Sequence, residues 1–433
     1  MINLKVNNAT QLLPSYTERI YQFKKWRIQI CISVFAFMLC THDLKAQIKT
    51  DKFMGEIVNY DETTVPKYTL PPVLKTLHGE KIKRISTWEN KRRPEILSLF
   101  EEHVYGQKPS KFDSLNFKIT NEKVDAMDGK AHLKEVQITV WNKGNSVSFP
   151  VVLFIPNNKR KPAPVFLLIN NRGKRNTDAT RTIKSTFWPA EMMIDSGYAI
   201  ASFHNADVAP DRKETYQNGI LKQLFPEELE KENGMKAIGA WSWAASRVMD
   251  YFLTDKDIDS KKVAIVGHSR GGKTALWTGA LDQRFAMVFN SCSGNSGAAL
   301  SRRKYGETVS LINKQFGHWF NDNYKKYSKN VDSLPVDQHM LFGLIAPRPV
   351  YTTNATEDRW ADPYGSFLSL VNAKPVYDLY HQKVNLPKTM PKTNSPIIES
   401  AIGYHFRTGA HDLNVYDWTN FIRFANYYYG LKK

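Results

Sequence analysis

Cysteine is scarce, with three in 433 residues. Cys31 and Cys40 fall in an N-terminal stretch that reads as a removable segment. Cys292 is then left alone, which excludes an internal disulfide. A mature chain without disulfides is stabilised by its core, and this length can build a large one. Zinc-finger spacing, RNP-like motifs and a recognition-helix signature are all missing. No repeat at the period of a solenoid or propeller recurs. No linker or change in composition divides residues 47–433, which are therefore expected to form a single domain. Acidic residues are outnumbered, 42 against 60 Lys and Arg, for a formal charge of +18. The bases are spread along the chain, so a nucleic-acid partner is not expected. A basic surface equally attracts an acidic polysaccharide or steers an anionic substrate.

Long apolar runs are also lacking. Ile28–Cys40 is apolar and uncharged but short for a bilayer span. Lys24-Lys25-Trp26-Arg27 precedes it, and Leu44-Lys45-Ala46 follows before Gln47. This is the pattern of an export signal, so residues 1–46 are set apart as signal peptide and lead-in. The expectation is an exported protein, periplasmic or extracellular, with no stable membrane span once the signal is removed. Lipoprotein anchoring at Cys40 is the weaker alternative, since Leu39 is bulky. The lead-in before the basic residues is long, and the start codon can lie further downstream.

Apolar content of 42% and aromatic content of 12% are those of a globular protein. Residues 47–90 read as an extended lead-in. Arg92–Tyr105 has helical spacing, with Ile96, Leu97, Leu99, Phe100 and Val104 on one face and Gly106 as the stop. Runs at 115–119, 136–140 and 149–155 alternate like antiparallel edge strands. Pro164–Asn170, Ala199–Phe203, Ala286–Asn290 and Pro349–Thr353 read as buried strands. Helices are expected over Phe187–Gly197, Gly239–Leu253 and Tyr416–Tyr429, and a surface insertion over 205–234. Strands alternating with helices predict an α/β fold with a mostly parallel sheet between helical layers.

The sharpest stretch is Lys261–Trp277, KKVAIVGHSRGGKTALW. Val263–Val266 is a strand of β-branched type, Gly267–Gly271 has the form G-x-S-x-G, and Lys273–Trp277 begins a helix. Strand, turn and helix together mark the nucleophile elbow of the α/β-hydrolase fold, with Ser269 at its tip. A serine nucleophile needs a base and a group that orients the base. In this fold the order is serine, acid, histidine. His411, in Gly409-Ala410-His411-Asp412 before the closing helix, fits the base. His405 sits in a strand-like run, Ile402–Phe406, and reads as structural; His318 and His339 would break the chain order. Asp358, just past the strand 350–353, is the expected acid, with Glu357 and Asp362 as alternatives. The backbone N–H of Arg270 is the expected oxyanion donor, and its guanidinium can add charge.

Several separated motifs accompany the elbow: SCSGNSGAALSRR (291–303), GETV (306–309), FGHWF (316–320), EDRWADP (357–363) and GAHDL (409–413). Together they resemble carbohydrate esterase family 15, the bacterial glucuronoyl esterases, across about residues 90–430. The resemblance implies a serine esterase without cofactor or metal. It would cleave the ester between a lignin alcohol and the 4-O-methyl-glucuronic acid side group of glucuronoxylan. It also implies Ser269 as nucleophile, Arg270 as oxyanion stabiliser and His411 as base. Lys273, Glu307 and Trp360 would contact the sugar, and His318 and Trp319 would line the pocket. Alone, these would read as a solvated lysine, a surface carboxylate and a buried indole. One position departs from the family: Cys292 stands where many members carry a glutamate as triad acid, which leaves the role to Asp358. Two other functions stay open: a broader carbohydrate esterase, such as a xylan acetyl esterase, and a weakly active glycan-binding member. A monomer is expected.

Overall fold

Apolar runs that alternate with helical stretches do become strands of one sheet. The computed structural model describes residues 50–53, 56–157 and 162–430. The chain divides into two compact units, Met1–Thr50 and Asp51–Lys433. The export segment expected over residues 1–46 lies outside the described residues.

Nine strands make up the sheet: β1 (Ser114–Ala126), β2 (Ala131–Asn142), β3 (Asn145–Pro156), β4 (Ala163–Asn170), β5 (Ala199–His204), β6 (Ile258–His268), β7 (Met287–Ser291), β8 (Val350–Ala355) and β9 (Ile402–Arg407). Their spatial order is β1-β2-β3-β5-β4-β6-β7-β8-β9. The first three and the β3–β5 pair are antiparallel; all later pairs are parallel. Helical crossovers between parallel strands leave both faces of the sheet covered by helices. This is the α/β-hydrolase arrangement expected from the sequence.

The central strands read as unbroken apolar runs because both faces are buried. Val165, Leu167, Ile169, Val263, Ile265 and Val288 point into one core. Phe166, Leu168, Ala264, Val266, Met287 and Phe289, their neighbours in sequence, point into the other. The period of two along each strand makes the division. The first core takes α1 (Arg93–Phe100), α4 (Ala237–Phe252), α5 (Arg270–Leu281), α6 (Val309–Phe316), α7 (Gln338–Ile345) and α8 (Pro363–Leu379). The second takes α2 (Ala190–Asp195) and α9 (Val415–Tyr429). None of the helices among the described residues is long and apolar enough to cross a membrane.

Two expectations need correction. The helix expected over 92–105 is α-helical only over Arg93–Phe100, with π turns at Trp88–Arg92 and Glu101–Tyr105. Ile96, Phe100 and Val104 are still buried, and Gly106 ends the stretch with φ at +88°. The stretch 205–234 is not merely a surface insertion. It contains a short helix, α3 (Ile220–Leu224), with Ile220, Leu221 and Leu224 buried. The Trp241 indole N–H donates to Ala209 O at 2.8 Å, so α4 lies beneath this stretch and is buried almost all round.

Register brings the strand ends level. His268 pairs with Ser291, and Ser291 with Thr353. The C-terminal ends of β6, β7 and β8 therefore open at one edge, where doubly wound sheets place their sites.

Candidate active site

Ser269 leaves β6 with φ +56° and ψ −126°, a left-handed region that a β-carbon makes costly. The surroundings hold it there. Its N–H donates to Ser291 O at 2.8 Å, and its carbonyl receives the Lys273 N–H at 3.1 Å as α5 begins. The turn closes so tightly that a β-carbon on Gly267 would lie 1.9 Å from Gly271 O. Glycine at that position is a steric requirement. The serine side chain sits at the positive end of α5, favourable for a developing oxyanion.

A cavity of about 560 Å³ opens above Ser269. Its lining includes Arg270, Lys273, Cys292, Glu307, Trp319, Asp358, Trp360 and His411. One cavity thus collects the residues expected as nucleophile, base and acid, together with Lys273, Glu307 and Trp360 but not His318 of the expected substrate contacts. A larger groove, about 1210 Å³, lies over β1–β3 and contains none of them.

His411 and Asp358, the expected base and acid, follow adjacent paired strands. His411 Nδ1 donates to Asp358 Oδ2 at 2.7 Å. The imidazole is 39% exposed, whereas the carboxylate is 3% exposed. Three hydrogen bonds, two of them backbone to backbone, join the two loops. Thr356 N–H donates to Arg407 O at 2.9 Å, Glu357 N–H to Gly409 O at 3.0 Å, and Gly409 N–H to Thr356 Oγ1 at 3.1 Å. Of the alternative acids, Glu357 is exposed on the cavity lining. Asp362 faces elsewhere: it caps α8 through Gly365 N–H at 2.8 Å and takes Arg303 Nε–H at 2.8 Å. Burial pushes its carboxyl up to about 6 against the Arg303 charge.

Cys292 sits where the family glutamate is expected. Its Sγ, an Asp358 oxygen and a His411 nitrogen lie within 4.8 Å of one another. The His411 Nδ1 is already taken by Asp358, so the cluster reads as a hydrogen-bonded pair beside a thiol. Burial, and then the Asp358 and Asp417 charges, push that thiol well above its ordinary range. A protonated thiol is a poor nucleophile and does not orient an imidazolium.

Lys273 is buried at 3% exposure beside Glu307 at 5%. Its Nζ donates to Glu307 Oε2 at 2.6 Å, Ser293 O at 2.7 Å and Asn295 O at 2.5 Å. Three oxygen acceptors use all its protons, so the lysine fixes the glutamate and the 293–295 loop. Burial pushes the Lys273 ammonium down and the Glu307 carboxyl up, each against the other's attraction. Glu307 N–H donates to Trp360 O at 2.9 Å, which ties the acid loop to this wall.

Arg270 is the expected oxyanion residue. Its guanidinium is ion-paired with Asp211 and donates from Nη2 to Asn171 O at 2.9 Å. His318 does not line the cavity. It sits behind, with Nε2 3.1 Å from Asp211 Oδ1, while Trp319 Nε1–H donates to the same oxygen at 2.7 Å. Burial alone would raise the Asp211 carboxyl; the His318 bond, the Arg270 charge and the Trp319 bond hold it low. Asp211 came from the irregular 205–234 stretch, where no periodicity marked it. Tyr60 was also missed and forms part of the wall. His405 is structural, as expected: it is fully buried, with Nε2 2.8 Å from Asp417 Oδ1. His339 is buried elsewhere, its Nε2 2.9 Å from Pro71 O.

An elbow serine, an Asp–His pair and an α/β-hydrolase sheet define a serine hydrolase by class. The model of the family described as glucuronyl esterase, fungi, matches residues 138–380, which contain Ser269, Glu307, Asp358 and Trp360. Carbohydrate esterase MZ0003, from an unknown prokaryotic organism, is 38% identical over 86% of this chain and 92% of its own. A 4-O-methyl-glucuronoyl methylesterase of Podospora anserina is 29% identical over 66% of this chain and 55% of its own. The solved structure of a glucuronoyl esterase from Solibacter usitatus aligns with a TM-score of 0.78 at 35% identity. It covers 84% of this chain and 99% of the other. The chain belongs to the glucuronoyl esterase family, carbohydrate esterase family 15.

Proposed function

We propose that this protein hydrolyses esters of glucuronic acid, with 4-O-methyl-glucuronoxylan linked to lignin alcohols as the substrate class. One observation carries the reading: the Lys273–Glu307 pair lines the same cavity as Ser269 and His411. A simple ester needs only the serine and its base. A buried acidic side chain held by a lysine adds an acceptor for sugar hydroxyls, and the Trp360 ring adds an apolar surface.

In this mechanism His411 takes the Ser269 hydroxyl proton as Oγ attacks the ester carbonyl. The Arg270 N–H meets the oxyanion, with its guanidinium held nearby by Asp211. The alcohol leaves with the proton from His411. Water, deprotonated by His411, then attacks the acyl-enzyme and frees the glucuronate and Ser269. Asp358 holds the tautomer that makes Nε2 the accepting nitrogen and stabilises the imidazolium. The basic, apolar and small-residue pattern of residues 24–46 supports export to the periplasm or beyond.

The test is hydrolysis of benzyl glucuronate beside an acetyl ester, with Ser269→Ala as control. Preferential glucuronate cleavage, lost in the variant, is expected. Cleavage of the acetyl ester alone would move the protein to the broader carbohydrate esterases. No cleavage of either would favour a glycan-binding role.

A further inference from the structure

Arg172, in the loop after β4, reaches three groups around the base. Its Nη1 is ion-paired with the Asp412 carboxylate, and its Nη2 donates to His411 O at 3.2 Å. The same Nη2 lies 3.1 Å from His268 Nε2. An arginine has only donors, so His268 Nε2 must accept, and its proton resides on Nδ1. Nδ1 accordingly faces Ser291 Oγ at 3.3 Å. The His268 ring lies 4.5 Å from the His411 ring, centroid to centroid. His268 is also the residue immediately before Ser269. The Phe187 ring, 4.6 Å below the guanidinium, fixes the remaining face of Arg172.

We propose that Arg172 and His268 are positioning residues for His411, clamping its loop while keeping the neighbouring imidazole uncharged. The inference rests on Ser269 and His411 being nucleophile and base. The clamp joins the serine's own strand to the base's loop, so the two reacting partners share one support. It also sets the charge around the base. During acylation His411 becomes an imidazolium, and a second imidazolium 4.5 Å away would oppose it. Burial, the facing His411 and the Arg172, Arg407 and Arg270 charges all hold His268 well below its ordinary range. The groups facing His411 are Asp358 after β8, Cys292 after β7 and Glu307 in the wall. Arg270 lies on α5, Arg407 on β9, Asp412 in its own loop, and Arg172 and His268 on the remaining side.

The experiment is the pH dependence of kcat and kcat/KM on benzyl glucuronate. Arg172→Ala should lower kcat by about 10- to 100-fold, with KM nearly unchanged, because a small displacement of the base is enough. It also removes a cation beside His411 and leaves Asp412 unpaired. The imidazolium is then favoured, and the acid limb moves to higher pH. Asp412→Asn removes the anion instead, so its acid limb moves to lower pH. Arg172→Lys keeps the charge but not the fork; its acid limb stays while kcat falls. His268→Gln, which still offers an acceptor to Arg172, should retain more activity than His268→Phe. Opposite shifts are not produced by loosened packing. Unaltered kcat in Arg172→Ala, or acid limbs that stay put in both Arg172→Ala and Asp412→Asn, would overturn the proposal. If Arg172→Ala does not fold, Asp412→Asn and Arg172→Lys carry the test. An inactive wild type would instead defeat the esterase reading itself.

Discussion

Lys273 Nζ lies 2.6 Å from Glu307 Oε2, and neither side chain is more than 5% exposed. A pair this deep is costly to form and more costly to break, since removing one partner strands the other charge.

Lys273→Met and Glu307→Leu should each destabilise the fold by about 3–5 kcal/mol. The double variant should lose less than the sum of the two, because no charge remains unpaired. Urea unfolding of all four proteins measures this. Equal additivity would show that the two groups do not depend on each other.

Asp358→Asn keeps the shape beside His411 Nδ1 but removes the charge and permits the wrong tautomer. In triad enzymes such a change costs up to about four orders of magnitude in kcat. A comparable loss is expected here, with unaltered circular dichroism, because Cys292 offers only a protonated thiol in the neighbouring position. A loss of less than about tenfold would mean that another group orients the base.

His339 supplies a pH test away from the cavity. Its Nε2–H donates to Pro71 O, and its Nδ1 is buried without a partner. Protonation would bury a charge with nothing to accept its hydrogen, and burial indeed lowers this histidine below 6.5. A depressed value means that the unfolded chain binds the proton first. The stability is fully present above pH 6.5 and is lost as pH falls toward the folded value. The slope is at most about 1.4 kcal/mol per pH unit for one group. His339→Gln keeps a donor for Pro71 and should flatten the acid side of the stability curve. An identical curve in the variant would show that His339 does not titrate on unfolding.

Much of this architecture was legible because both signals are local. The runs at 165–169 and 263–266 are apolar on every residue, as a doubly covered strand requires. G-x-S-x-G between strand and helix then places Ser269 at the open edge. Asp358 and His411 followed from chain order and strand ends. What escaped depends on contacts distant in sequence. Asp211 reaches Arg270 from a stretch without periodicity. Tyr60 reaches the wall because Gly306 N–H donates to Asn59 O at 2.9 Å. Arg172 showed only a charge, and His268 only an unassigned letter of the motif. The π turns around α1 carry no sequence signature, since they differ from an α-helix by one residue per turn.

The two backbone hydrogen bonds from Thr356 and Glu357 to Arg407 and Gly409 continue the ladder of β8 and β9 beyond the strands, and the Thr356 hydroxyl accepts from Gly409 N–H beside them. That makes acid and base two stations on a single ribbon. Thermal breathing carries them together, so their mutual spacing survives motions that would separate independent loops.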